Sequence, residues 1–237
     1  MAQTRSVSGW NVAQGSRIIF WRHGRTAWNL AGRFQGATDV PLDEVGLAQA
    51  AAAAPALAAM RPTAIVASDL SRASATAQVL GDLVGLPVTH DAGLRETHGG
   101  AWQGLTREEI LAQYPELFLS WIAGHDVAPP HGESRHEVVG RVVATVDRHV
   151  AALPVGGTLV VVSHGGAIRG GIGGLLGLTP DQWGALGVIS NCAWSVLSQV
   201  TLPPGPGSRE AAQVPRWRLE EYNAAAAPEA AIGADDA

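Results

Sequence analysis

The chain has 237 residues, 46% hydrophobic and only 16% charged, against roughly 25% charged in an average soluble protein. That excludes a disordered chain and supports one large core, or two small domains at roughly 150 residues per domain. A net charge of −5 with no basic cluster argues against nucleic acid as the main partner. All sixteen basic residues are arginine, which excludes Walker A, kinase, Schiff-base and pyridoxal phosphate sites in their usual lysine-dependent forms.

Residues 1–16 read as a flexible arm, polar and without a signal-peptide core. Arg17–Trp21 is a short apolar run that meets a polar cluster, as a buried strand meets a functional loop. Asp43 to Met60 is alanine-rich and helix-forming, with Pro55 as a kink or break. Ala64–Ala67 is a second buried strand, and a helix runs from Ser71 to about Leu83. Gly85 and Pro87 end it before a short strand at Val88–His90. Residues 91–105 lack a clear period and read as a loop. Thr106 to Glu109 is a capping-box helix start, and Pro115 opens another helix containing Trp121. After a Pro/Gly loop at His125–Gly132, Ser134 to Leu153 is a helix with Val138, Val142 and Val146 on one face. Thr158–Val162 is the most strand-like run, followed by His164-Gly-Gly and a helical stretch to Leu176. Asn191–Val200 and Arg216–Tyr222 form a terminal hairpin around a Pro/Gly loop at 203–208, and residues 224–237 read as a disordered tail.

Strands alternating with helices predict an α/β fold: three layers, α/β/α, with a mostly parallel central sheet and an antiparallel C-terminal edge hairpin. Residues 17–223 make up its single domain. The stretch free of charged residues from His149 to Ile168 is broken by Pro154, two glycine pairs and His164, so it is not read as a membrane span.

His23 and His164 follow the two best strands directly, and Arg72 lies in the first turn of the helix leaving the second strand, Ala64–Ala67. Ligand sites in open α/β sheets lie beyond such strand ends. Two histidines and two arginines, Arg22 and Arg72, would meet there. That cluster suits a phosphate: arginine forks bind its oxygens bidentately, and amides at a helix start add donors. A neutral imidazole can attack phosphorus, and Glu96 is positioned in sequence as a proton donor to the leaving oxygen. A bland reading stands beside this one: strand-end histidines held by structural hydrogen bonds, and Arg22 paired with Asp39 or Asp43.

Metal ligation is the chemical rival, but no His-x-x-x-His with a carboxylate partner occurs, and none is expected. The glycine run 170–177 lacks dinucleotide-loop spacing and reads as helix close-packing. Cys192 is the only cysteine and reads as a buried free thiol. Most tryptophans belong to the core; Trp102 and Trp121 stand near the Glu96 and His131 loops, where they would line a pocket.

Arg22-His23-Gly24 after a strand, Ser68-Asp69-Leu70-Ser71-Arg72-Ala73 opening a helix, Leu94-Arg95-Glu96, and Ser163-His164-Gly165-Gly166 resemble the histidine phosphatase (phosphoglycerate mutase-like) superfamily in order and spacing. The resemblance implies that His23 becomes the phosphohistidine, with Arg22, Arg72 and His164 holding the phosphoryl group. It further implies assistance from Asn29, Gln35 and the Gly165 amide, and a proton-transfer role for Glu96. Arg25, Thr26, Trp102 and His131 are the further substrate-binding candidates. The route needs no metal and no cofactor, and arginines around His23 would disfavour its protonation.

Cofactor-dependent mutases of the superfamily carry a long basic insertion after the glutamate. Here Leu105 to Gly132 is short, and Pro115–Ala123 holds no arginine, which favours a phosphatase. Leu94 to His98, Trp102 to Leu105 and Ala128 to Ser134 resemble its glucosyl-3-phosphoglycerate phosphatase branch, from which Ala27-Trp28 departs. A phosphoglycerate mutase and a non-catalytic phosphate-ester-binding protein are the alternatives. The expected partner is a small phosphorylated metabolite, not nucleic acid or membrane. The expected setting is cytoplasmic, and a homodimer could form along the hairpin edge.

Overall fold

The structure, a computed structural model, describes residues 15–201 and 215–226. The expected arm up to residue 14, the loop at 203–208 and the tail from 227 fall outside the described residues. Six strands form one sheet: β1 (Arg17–Arg22), β2 (Ala64–Ala67), β3 (Val88–His90), β4 (Thr158–Ser163), β5 (Trp194–Thr201) and β6 (Pro215–Ala224). Their spatial order is β3-β2-β4-β1-β5-β6. The first four in that order are parallel, and β5 and β6 are antiparallel additions, as the sequence predicts.

The helices are α1 (Ala27–Leu30), α2 (Glu44–Ala59), α3 (Ser71–Val84), α4 (Arg107–Gln113), α5 (Pro115–Ile122), α6 (Arg135–Ala151) and α7 (Gly165–Leu176). They cover both faces of the sheet because its strands are apolar on both sides. Ile19, Trp21, Ile65 and Val160 pack with Ala50, Ala53, Leu57, Ala73, Ala77 and Leu80 of α2 and α3. Ile18, Phe20, Leu159 and Val161 pack on the opposite face with Val138, Val142 and Val146 of α6 and Ile168 and Ile172 of α7. All six residues of β4 are buried, the mark of a central parallel strand covered on both faces. Among the described residues no helix is long and apolar enough to cross a membrane.

Of the kink or break expected at Pro55, the break does not occur: α2 runs on to Ala59. Pro55 and Ala51, four residues earlier, both lie on the exposed face, so water can satisfy the carbonyl that loses its helical donor. The glycine run of α7 is a close-packing surface, as expected. A Cβ on Gly171 would come within 2.6 Å of Val142 Cγ1, and one on Gly174 within 2.8 Å of Val139 and Val143. These glycines bring α7 down onto α6.

Candidate active site

Register decides where the chemistry collects. Arg22 pairs with Ser163 at the ends of β1 and β4, so His23 and His164 leave adjacent parallel strands side by side. Ala67, the last residue of β2, pairs with Val162, which delivers Ser68 and the start of α3 to the same edge. The two imidazoles stand 5.1 Å apart, centre to centre, tilted by 60°. His23, His164, Arg22 and Arg72 are each no more than 1% exposed.

Hydrogen bonds define how each ring faces the site. Nδ1 of His23 lies 2.7 Å from the Gly24 carbonyl. A carbonyl only accepts, so Nδ1 carries the proton and Nε2 keeps its lone pair. Nε of Arg72 donates to Nδ1 of His164 at 3.1 Å, which places the proton of neutral His164 on Nε2, 2.9 Å from Ser68 Oγ. Both rings are held neutral, with pKa values well below the ordinary 6.5. For His23 burial is the leading cause, followed by the charges of Arg72 and Arg22. For His164 burial leads again, followed by Arg72, His23 and Arg22. The arginines thus act as the sequence suggested, but desolvation is the larger effect.

The chain around His23 is locked from several sides. Its carbonyl accepts the Cys192 amide at 3.2 Å and the Asn191 side chain at 3.0 Å, with Cys192 in a left-handed conformation at φ 56°. Gly24 has to be glycine: a Cβ there would lie 2.3 Å from the Gly46 carbonyl oxygen. Thr26 caps α1, a short helix that sequence periodicity missed. Its signal is a capping box in which Asn29 replaces the usual glutamate, with Asn29 Oδ1 accepting the Thr26 amide at 3.1 Å. The Thr26 hydroxyl reaches Gln35 Oε1 at 2.9 Å. Thr26, Asn29 and Gln35 are therefore one buried network beneath the site.

Arg72 is anchored by the carbonyls of Thr38 and Gly36, at 2.7 Å each, and Arg22 by the Ile189 carbonyl. The expected bland partner of Arg22 belongs to Arg25 instead, which pairs with Asp43 at 2.8 Å. Asp39 accepts from the Ser71 amide and hydroxyl at the start of α3.

Glu96 is tied to the helix that His164 introduces. Its Oε2 accepts the Gly166 amide at 2.9 Å, and its Oε1 accepts the amides of Ala167 at 3.0 Å and Thr97 at 2.8 Å. A carboxylate has about four lone-pair sites, so Oε2, with one amide, keeps a site for a proton. Gly165 is the first residue of α7, between His164 and these amides. Among the described residues no three His, Cys, Asp or Glu side chains group as metal ligands.

The Histidine phosphatase superfamily (branch 1) model matches residues 18–201. The chain belongs to the histidine phosphatase superfamily. It is 42% identical over 217 residues to the glucosyl-3-phosphoglycerate phosphatase of Mycolicibacterium vanbaalenii, covering 89% of this chain and 95% of that protein. The same enzyme of Mycobacterium tuberculosis (strain ATCC 25618 / H37Rv) matches with the same identity and coverage. The solved structure of mycobacterial glucosyl-3-phosphoglycerate phosphatase with VO3 superposes with a TM-score of 0.79 at 40% identity, over 88% of this chain and 99% of that one.

Beside Glu96 this histidine phosphatase carries a pocket of about 360 Å3, walled by α5, α6 and α7. Phe34, Trp121 and Trp183 supply apolar surface, and Arg107, Arg135 and Arg169 supply charge. Trp121 takes the expected place on the wall, but Trp102 does not. Trp102 is fully buried among Phe34, Ile110, Phe118 and Trp121, making edge-on ring contacts with three of them at 5.5–6.0 Å. It is the centre of the small core that supports the pocket. His131 also stands off the wall: it is exposed, in a left-handed conformation at φ 63°. Its neighbours Pro130 and Gly132 pack under Gly100. Arg135 and Arg169 were not evident from the sequence, because only the packing of α6 on α7 brings them together.

Proposed function

We propose that this chain hydrolyses a phosphomonoester through a phosphohistidine on His23, with glucosyl-3-phosphoglycerate or a related sugar or glycerate phosphate as substrate. The observation that carries this reading is the neutral His23 ring, with its Nε2 lone pair free among Arg22, Arg72 and His164. The substrate assignment is supported by the identity to the mycobacterial enzymes named for that ester.

Nε2 of His23 attacks phosphorus while Arg22 and Arg72 hold the equatorial oxygens, His164 joins them by turning its Nε2–H from Ser68 Oγ to the phosphate, and the Gly165 amide completes the cradle. Arginine forks suit those oxygens, and a buried site strengthens every such contact. The P–O bond breaks, and its oxygen takes a proton from Glu96 Oε2, so the alcohol leaves neutral. Glu96 then removes a proton from water, whose oxygen attacks phosphorus. The P–N bond breaks, inorganic phosphate leaves, and His23 and Glu96 return to their starting states. Thr26, Asn29 and Gln35 serve this step by fixing the loop that carries His23, and Arg25 braces that loop through Asp43.

Phosphate release tests the reading, measured over a panel of glucosyl-3-phosphoglycerate, both phosphoglycerates and sugar phosphates without added metal. One ester of the sugar–glycerate class, preferred in kcat/KM by tenfold or more, is the expected result. Bisphosphoglycerate-dependent interconversion of the phosphoglycerates would favour a mutase, and binding without turnover a non-catalytic protein. The expected homodimer is checked in the same preparation by sedimentation velocity.

A further inference from the structure

We propose that Arg135 and Arg169 form a recognition site for a second anionic group of the substrate, a carboxylate, within reach of the phosphoryl site. The inference rests on the phosphoester reading above and adds which part of the ester the chain selects. Both arginines line the pocket that also contains Glu96 and Gly166, so a group bound there lies beside the leaving oxygen. Arg135 is the first residue of α6 and Arg169 lies in the second turn of α7. Both are half-buried, yet among the described residues neither forms a salt bridge or donates a hydrogen bond to a carbonyl.

Their surroundings are arranged to keep a charged fork in place with its donors unused. The Arg135 guanidinium lies over the Trp121 ring, 4.4 Å from its centre, which fixes its plane without consuming N–H groups. Burial, first, and the charge of Arg169, second, push Arg135 down to about 10, with Asp126 opposing. It remains charged at neutral pH, and its charge is under-compensated. Arg107 stands exposed on the rim, over the Phe118 ring. Three arginines line the pocket, and with Glu96 holding the proton it gives to the leaving oxygen they leave the pocket positive, so an anionic group of the substrate is drawn to it. A planar, bidentate carboxylate also matches a guanidinium fork. The absence of arginine from Pro115–Ala123 therefore does not leave the pocket without a carboxylate grip; α6 and α7 supply it.

Calorimetric binding tests this with 3-phosphoglycerate and glycerol 3-phosphate, which differ by a carboxylate against a hydroxymethyl group. The His23→Asn chain is used so that the esters are not turned over. The acid should bind about tenfold to a hundredfold more tightly. Adding Arg135→Gln or Arg169→Gln should remove most of that difference while leaving glycerol 3-phosphate within about twofold. Equal affinity for both esters, or equal weakening of both by the arginine changes, overturns the proposal. If Arg135→Gln alone fails to fold, Arg169→Gln decides. Absence of phosphate release by the unmodified chain would overturn the hydrolytic reading and leave this comparison standing.

Discussion

The guanidinium of Arg141 donates to the backbone carbonyl of Glu96 at 2.9 Å. From its place on α6 it also reaches the carbonyls of Arg95 at 2.6 Å and Gly93 at 3.1 Å. Glu133 holds its other side at 2.8 and 2.9 Å. Burial would raise the Glu133 carboxyl, but Arg141 and the His98 amide outweigh it and hold it below its ordinary value. The loop presenting Glu96 is thus pinned by a side chain that does not touch the pocket.

Arg141→Met should therefore let that loop drift. Misplacing a reacting group by about 1 Å costs roughly 100-fold in rate, so kcat should fall by about 10- to 100-fold. Affinity for inorganic phosphate, which does not depend on Glu96, should stay within about threefold, and Arg141→Lys should recover part of kcat. A parallel loss of phosphate affinity would contradict a positioning role.

Gly166→Ala tests the same carboxylate from the opposite side. A Cβ there would sit 2.8 Å from Glu96 Oε1, so the carboxylate has to move. Alanine favours a helix by about 1 kcal/mol over glycine, and the fold should keep or raise its melting temperature while kcat drops at least tenfold. Unchanged kcat would show that Glu96 works from another position.

The neutral histidines make stability depend on pH. Unfolded, His23 and His164 titrate near 6.5; folded, they do so well below it. Below pH 6.5 the unfolded chain binds protons that the native chain refuses, so stability falls as pH falls. Each histidine contributes about 1.4 kcal/mol per pH unit until the folded value is reached. Urea unfolding at pH 6.5, 6.0 and 5.5 should show a steeper loss for the unmodified chain than for His164→Asn, by about 1 kcal/mol over that range, since the unfolded histidine is only half protonated at its start. Parallel pH profiles would mean that His164 is protonated in the fold.

What could be read in advance was whatever is written in consecutive residues. The apolar runs of β1, β2 and β4 end on His23, Ser68 and His164, and that alone predicts the meeting of the two histidines with Arg72. The capping box at Thr106 and the valine face of α6 are local patterns of the same kind. Pro55 misled because the rule against proline in a helix assumes that the freed carbonyl is buried, whereas Ala51 faces water. Trp102 misled because an aromatic near a loop does not reveal which way the loop folds. Arg135 and Arg169 are 34 positions apart, and nothing local marks them as neighbours; the glycine face of α7 that brings them together reads only as close-packing.

Two glycine substitutions separate packing from helix propensity. A Cβ on Gly140 in α6 meets nothing within 4 Å, so Gly140→Ala should stabilise by about 0.5–1 kcal/mol. A Cβ on Gly171 would meet Val142 at 2.6 Å and the Phe20 ring at 3.6 Å. Overpacking of about 1–3 kcal/mol then exceeds the propensity gain, and Gly171→Ala should destabilise by about 1 kcal/mol. Denaturant midpoints with unchanged m-values check both signs.

A covalent bond between phosphorus and Nε2 of His23 is the central step of the proposed hydrolysis. Rapid quenching of the enzyme during turnover of a 32P-labelled phosphomonoester, followed by peptide mapping, tests it most directly. The expected result is an acid-labile, base-stable label on the peptide containing His23, absent from His23→Ala and, with p-nitrophenyl phosphate, whose leaving group needs no proton, accumulating in Glu96→Gln, where water attack is slowed. Turnover with no label on His23, or full activity in His23→Ala, would contradict it.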